Sequence, residues 1–113
     1  MVIAECIDRL EEYGYAVSIS PWPGRLYIDG YGLRIGLTVI EGNVTEIDCY
    51  LRRDDEIDLL LGTTTAYPKY RGLTEMVYGI GMNAMFSILS EPRKVVMKFR
   101  TMKMEKDLRV LEG

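Results

Sequence analysis

Histidine and glutamine are absent from this chain, and asparagine occurs only at positions 43 and 83. Without histidine, the chain lacks the commonest general base for a serine or cysteine nucleophile and a common zinc ligand. The sequence therefore predicts no catalytic, cofactor-binding or metal-binding residues. An enzyme that uses paired carboxylates or a lysine base stays open, but no spacing selects one, so a non-enzymatic role is favoured. Scarce amides also fit a source in a hot environment.

Cysteine is nearly absent too, with Cys6 and Cys49 as the only examples. Each lies within an apolar pattern, which is typical of buried thiols in a reducing compartment. A disulfide between them is the open alternative. The acidic N-terminal segment does not resemble a secretory signal peptide. The uncharged run of residues 76–90 is shorter than the ~20 apolar residues that span a bilayer. We therefore expect a soluble, cytoplasmic protein without a membrane contact.

Length and composition indicate one folded domain over residues 1–113. A chain of 113 residues with 48% hydrophobic residues can build a core without metals or disulfides. Its net charge of −3 argues weakly against a protein whose main task is to grip a phosphate backbone.

The order of apolar residues predicts an α+β fold. Ile3, Cys6, Ile7 and Leu10 have helical spacing, and Gly14 is placed to end that helix. Alternation with a period of two then predicts strands within residues 15–19, 26–28, 33–39, 45–51 and 95–99. Reversals are expected at residues 30–32 and 41–43.

These strands form a mainly antiparallel sheet of about five strands with one polar face. The polar positions are Ser18, Tyr27, Asp29, Arg34, Thr38, Glu46, Asp48 and Tyr50. We expect the N-terminal helix and a long apolar helix, at about residues 73–89, to cover the other face.

The segment around residues 54–62 is ambiguous. A short helix capped by Asp54 and ended by Gly62 is slightly favoured over a strand from Ile57 to Leu61. The acidic residues Asp54, Asp55, Glu56 and Asp58 could hold a hard cation. Helix capping explains these acidic residues better than a metal does.

The long helix is predicted to be apolar on two sides. One stripe surrounds Leu73 and would belong to the core. A second stripe lies roughly 145° away when each residue turns the helix by about 100°. Its members, proposed as a contact between two copies of the chain, are Tyr78, Met82, Met85, Phe86 and Leu89. A dimer is the default because twofold symmetry is the commonest closed arrangement.

Two places carry the residues of a possible anion or nucleic-acid contact. The loop from Thr63 to Gly72, which contains Lys69, Tyr70 and Arg71, leads into the predicted long helix. The polar sheet face presents Arg34 and Tyr50, with Tyr27, Lys98 and Arg100 as further members. Carboxylates on the same face would repel phosphate.

The favoured function is therefore a small homo-oligomeric binding or scaffolding protein, with a second copy or another protein as the partner. A nucleic-acid-binding module is the alternative.

Overall fold

A computed structural model of the chain describes residues 1–18, 24–52, 59–64 and 77–98. Its elements follow the order α1 (Ile3–Glu12), β1 (Ala16–Ser18), β2 (Arg25–Gly30), β3 (Leu33–Ile40), β4 (Asn43–Leu51), β5 (Leu59–Thr63), β6 (Val77–Tyr78) and α2 (Met82–Leu89). Residues 92–98 are helical as well. The α+β class is thus confirmed.

The sheet joins neighbours in sequence order from β1 to β6. β1 to β5 are antiparallel to one another, as predicted, and β6 adds to β5 in parallel. In the β2–β3 and β3–β4 pairings, core residues stand opposite one another, for example Ile28 opposite Ile35 and Ile35 opposite Cys49. The sheet therefore has one apolar face and one polar face.

Two tight hairpins fix this register. Gly30 faces Leu33 across Tyr31 and Gly32, and Ile40 faces Asn43 across Glu41 and Gly42. Both central residues of each turn have positive φ, from 51° to 79°, which is the conformation of a type I′ turn. Both reversals confirm the sequence predictions.

Helix α1 packs on the apolar face and ends as predicted. The Gly14 N–H donates to the Glu11 carbonyl at 3.0 Å, and the Tyr15 N–H donates to the Leu10 carbonyl at 3.1 Å. At the other end, the Ile3 N–H donates to the Gly42 carbonyl at 3.0 Å. Hydrogen bonds thus cap the C-terminal end of the helix and tie its N-terminal end to the β3–β4 turn.

One hydrophobic core lies between the apolar sheet face and the helices. Its fully or almost fully buried side chains include Cys6, Leu10, Ile28, Leu33, Ile35, Leu37, Ile47, Cys49, Met85, Phe86 and Leu89. Burial of a side chain of this size typically contributes about 1.5–3 kcal/mol, so this layer is the main source of stability.

The long helix of residues 73–89 is not confirmed. Val77 and Tyr78 form a strand, Gly79 has a φ of +71°, and the helix begins only at Met82 after an extended Gly81. Positive φ is incompatible with a right-handed helix and is accessible to glycine. Gly79 thus allows the chain to leave β6, and a shorter helix starts after Gly81. Residues 73–76 lie outside the described residues.

The predicted strand from Val95 to Phe99 is wrong over its described part, because residues 92–98 are helical. Pro92 is placed in the first turn, where its missing N–H costs nothing. The Lys94 ammonium contacts the Glu91 carboxylate at 3.0 Å, three residues away. Val95 and Val96 are both half-buried against the core, as neighbours on a helix and not as opposite faces of a strand.

The favoured helix near residues 54–62 is also wrong over its described part. Leu59, Leu60 and Leu61 belong to β5, so the strand alternative is the right one there. Gly62 lies inside this strand, opposite Cys49 and beside Val77, and does not end a helix. Asp54 and the acidic positions Asp55, Glu56 and Asp58 fall outside the described residues. No helix in the described ranges is long and apolar enough to cross a membrane.

Candidate functional site

The polar face of the sheet carries three rows of aligned residues. One row joins Arg25, Thr38 and Glu46; the second joins Ser18, Tyr27, Gly36, Asp48 and Thr63; the third joins Asp29, Arg34 and Tyr50. Opposite residues in antiparallel strands direct their side chains to the same side. We call these eleven residues the polar sheet face.

Arg25 crosses strand β3 on this face because Gly36 has no side chain. Arg25 stands in β2 opposite Thr38, and Gly36 lies on the same face of β3 opposite Asp48. A Cβ added at Gly36 would overlap the Arg25 guanidinium. Glycine inside a strand often marks such a close approach. The guanidinium therefore reaches from β2 across β3 to β4.

A hydrogen-bonded network surrounds the Arg25 guanidinium. Nη2 donates to Asp48 Oδ2 at 2.7 Å and to the Tyr50 hydroxyl at 2.9 Å, and Nη1 donates to Thr38 Oγ1 at 2.8 Å. The Thr63 hydroxyl donates to the other oxygen of Asp48. Both carboxylate oxygens of Asp48 are thus satisfied, as burial of a charge requires.

This network lies almost entirely out of solvent. The Asp48 side chain is 0% exposed and that of Arg25 is 14% exposed. Burial lowers the pKa of Arg25, but its hydrogen bonds with Tyr27 and Asp48 and its electrostatic interactions with Tyr50 and Asp48 raise that pKa by more, so the net shift is upward. The guanidinium therefore stays charged and fixed.

A second cluster stands at the other side of Tyr27. Arg34 donates to both oxygens of Asp29, at 2.9 and 3.2 Å, and Arg52 donates to Asp29 Oδ2 at 3.4 Å. Burial raises the pKa of Asp29, but the hydrogen bond and charge of Arg34, the charge of Arg52 and a hydrogen bond from Ser18 outweigh it and lower that pKa. Asp29 is therefore ionised at neutral pH.

Tyr27 lies between the two clusters. The guanidinium carbon of Arg25 and that of Arg34 are each 5.4 Å from the centre of its ring. Both distances are within the range of a cation–π interaction. The Tyr27 ring is therefore flanked by two guanidinium groups, each of which is paired with a carboxylate.

The five residues proposed as a contact between copies are placed differently from the prediction. Met85, Phe86 and Leu89 are at most 1% exposed and belong to the chain's own core. An interface assignment is therefore corrected for these three. Met82 is half-buried against the same core. Tyr78 lies in β6, and its side chain is not among those described.

Only some of the predicted nucleic-acid contacts lie together in the structure. Arg34 and Tyr50 lie together on the polar sheet face, as expected. Lys98 does not join them, because it belongs to the helical residues 92–98. Arg100 and the loop positions Lys69, Tyr70 and Arg71 lie outside the described residues.

The two cysteines are free thiols in the core. Burial raises the pKa of Cys6 to about 11, with the N-terminus and Arg9 opposing it and Glu5 adding to it. Burial, aided by the charge of Asp48, raises the pKa of Cys49 to about 12. Thiols with such a pKa are almost fully protonated at neutral pH and are poor nucleophiles. Within the described ranges, no three acidic or cysteine side chains are grouped as a metal site would need.

Sequence reasoning missed the centre of this face. Arg25 is not among the predicted site residues, although Gly36 inside an apolar strand is a signal that another group approaches the backbone there. Thr63 was predicted to begin the loop of residues 63–72, but it is the last residue of β5 and its hydroxyl donates to Asp48. The resulting arrangement holds arginine and tyrosine side chains in place through hydrogen bonds and ion pairs. Comparison with known proteins finds no match to the chain among protein-family models, curated proteins or solved structures.

Proposed function

We propose that this chain is a small binding or scaffolding protein that associates with itself and with another protein. The accessible side of the polar sheet face, around Tyr27 and Arg34, together with the adjoining Arg52, is the surface for the other protein.

The observation that carries this proposal is the position of Tyr27 between two fixed guanidinium groups. Tyrosine and arginine are the side chains most often responsible for affinity in protein interfaces, together with tryptophan. Arg25 and Arg34 are already ordered by Asp48 and Asp29 before any partner arrives. Because ordering long side chains costs affinity, a surface that is ordered in advance binds more favourably.

The charges of this surface favour a protein over a nucleic acid. Arg25, Arg34 and Arg52 carry three positive charges, and each lies beside a carboxylate of Asp29, Glu46 or Asp48. A phosphate would have to compete with these carboxylates, and a charge-balanced surface releases few counterions on binding. A protein surface with its own mixed charges meets no such obstacle.

Arg52 offers a test that leaves the fold intact. Its side chain is 53% exposed, and its contact with Asp29 is long, at 3.4 Å. Arg93 is also exposed but lies in the helical residues 92–98, whose valines pack on the core. Arg52→Glu and Arg93→Glu therefore reverse the same charge on and off the proposed surface.

Mass spectrometry would identify the proteins that copurify with the tagged wild-type chain. Each would then be purified and titrated against wild type, Arg52→Glu and Arg93→Glu. We expect a partner to bind wild type and Arg93→Glu alike and to bind Arg52→Glu about tenfold or more weakly. Equal binding of all three forms contradicts the assignment of this surface.

Wild type, Arg52→Glu, Arg93→Glu and a further variant, Tyr50→Ala, would be titrated with fluorescent single-stranded DNA and RNA at low salt. Binding that falls steeply with salt and with Tyr50→Ala would replace the proposal with the nucleic-acid alternative.

A further inference from the structure

Strand β1 forms one end of the sheet. In the described part of the chain its only strand neighbour is β2, so its outer edge carries backbone groups that face away from the sheet. Proteins commonly protect such an edge with a lysine, a proline or a bulge. β1 has only three residues, which itself limits edge pairing, but Ala16, Val17 and Ser18 include no lysine or proline and their register with β2 is continuous.

Val17 is an apolar residue that the core does not cover. Its register partner Ile28 is fully buried, whereas Val17 is 47% exposed. Because opposite residues share a face, Val17 is directed to the side of the sheet on which the helices pack. The helical layer therefore covers Ile28 of β2 and leaves Val17 of β1 partly open.

We infer that β1 pairs with β1 of a second copy of this chain, antiparallel and about a twofold axis beside Val17. This inference rests on the self-association that is part of the proposed function, and it identifies the outer edge of β1 as the surface through which two copies associate.

The edge is complementary to itself in this arrangement. A twofold axis beside Val17 places the two copies of Val17 opposite each other on the same face, where each covers the other's exposed methyl groups. Ala16 then faces Ser18 of the second copy. All three residues are small or apolar and none is charged, so the pairing creates no like-charge contact. A second copy of the chain already carries a strand edge that matches β1, whereas a different protein would have to supply one.

A contact of three residues on each side is small beside a stable interface, which buries about 1,200 Å² or more in total. We therefore expect association that depends on protein concentration. Because no charge lies in the strand, the association should change little with salt, unlike one driven by ion pairs.

Sedimentation velocity over a series of concentrations would test the inference with wild type, Val17→Lys and Ile40→Lys. Ile40 is 58% exposed at the end of β3 and provides the matched control for a new surface charge. Val17→Lys places two ammonium groups opposite each other across the axis. We expect its dimerisation to weaken about tenfold or more, while Ile40→Lys behaves as wild type.

Mixing variants gives the decisive measurement. Val17→Lys and Val17→Glu should each be mainly monomeric alone, and an equal mixture should recover a dimer because opposite charges then meet. Far-UV circular dichroism reports whether each variant is folded. If either is not, Val17→Thr, which keeps the β-branched shape, should show a smaller weakening.

A dimer that Val17→Lys leaves unchanged would overturn the β1 contact and leave self-association in place. Failure of the mixture to recover a dimer, with both variants folded, would also overturn it. A wild-type chain that stays monomeric at every concentration would remove self-association itself.

Discussion

At the scale of single residues, the missing side chain of Gly36 determines the architecture of the polar sheet face. It allows Arg25 to pass over β3 and reach Asp48, which is fully buried. A buried carboxylate without a partner would cost several kcal/mol, so the position of Asp48 depends on Arg25 and Thr63. One glycine thus links three strands.

Gly36→Ala should destabilise the protein by about 1–3 kcal/mol, because the new methyl group overlaps the Arg25 guanidinium and forces it out of place. Gly81→Ala is the control: Gly81 has a φ of −69°, and its added methyl group would meet no atom within 4 Å. Urea denaturation of both variants measures the difference. Equal stability of the two would show that Arg25 does not need the space above Gly36.

A double-mutant cycle separates this overlap from the general cost of changing a glycine. In an Arg25→Ala background, where the guanidinium is gone, Gly36→Ala should cost much less than in wild type. An unchanged cost would place the effect in the backbone of β3.

At the scale of elements, helix α2 is held by contacts with parts of the chain that are distant in sequence. The Tyr15 hydroxyl donates to the Leu89 carbonyl at 2.7 Å, and the Arg9 guanidinium lies 4.6 Å from the centre of the Phe86 ring. Met85, Phe86 and Leu89 are buried in the core cluster. An eight-residue helix is marginal by itself, so these tertiary contacts stabilise it.

Phe86→Ala should therefore lower the free energy of unfolding by about 3–5 kcal/mol, the usual cost of emptying a buried aromatic site. Ser87→Ala, at an exposed position of the same helix, should change it by less than about 0.5 kcal/mol. Chemical denaturation at two protein concentrations would check both. A loss for Phe86→Ala that appears only at high concentration would identify Phe86 as an interface residue and contradict its place in the core.

The elements that sequence patterns predicted are those fixed by neighbouring residues. α1 ends at its glycine cap, and the β2–β3 and β3–β4 hairpins turn on two-residue loops, so short-range signals were sufficient. The course of the chain from Val77 to Gly81 was not predictable in this way, because β6 exists only through its parallel pairing with β5. Tertiary pairing overrode an apolar pattern that also fits a helix.

The candidate site follows the same division. The alternation in β2, β3 and β4 placed Tyr27, Arg34 and Tyr50 correctly on one face. The hydrogen bond from Arg25 to Asp48 joins residues 23 positions apart and passes over β3, and no periodicity in the sequence predicts such a contact.

At the scale of the whole molecule, one core joins the sheet and the helices and contains both thiols. Cys6 belongs to α1 and Cys49 to β4, and both are buried in the same cluster. The thiols therefore become accessible to water together when the domain unfolds, and their ionisation is coupled to global stability.

This coupling predicts a loss of stability in alkaline solution. In the folded state the pKa values of Cys6 and Cys49 rise from an ordinary value of 9.0 to about 11 and about 12. Below pH 9.0 both states keep the thiol protons, so these groups add no pH dependence. Above it the unfolded chain releases them while the folded chain retains them, and unfolding becomes more favourable by up to about 1.4 kcal/mol per pH unit for each thiol. The buried Tyr15, whose pKa burial also raises, acts in the same direction at higher pH.

Urea denaturation from neutral pH to about pH 10.5 measures this slope, and a variant with Cys6→Ala and Cys49→Ala isolates the thiols. The variant should be less stable at neutral pH, because it loses buried volume, but its stability should fall less steeply above pH 9.0. Parallel profiles for the two proteins would show that the thiols already ionise in the folded state. A single buried core shared by α1 and β4 would then be contradicted.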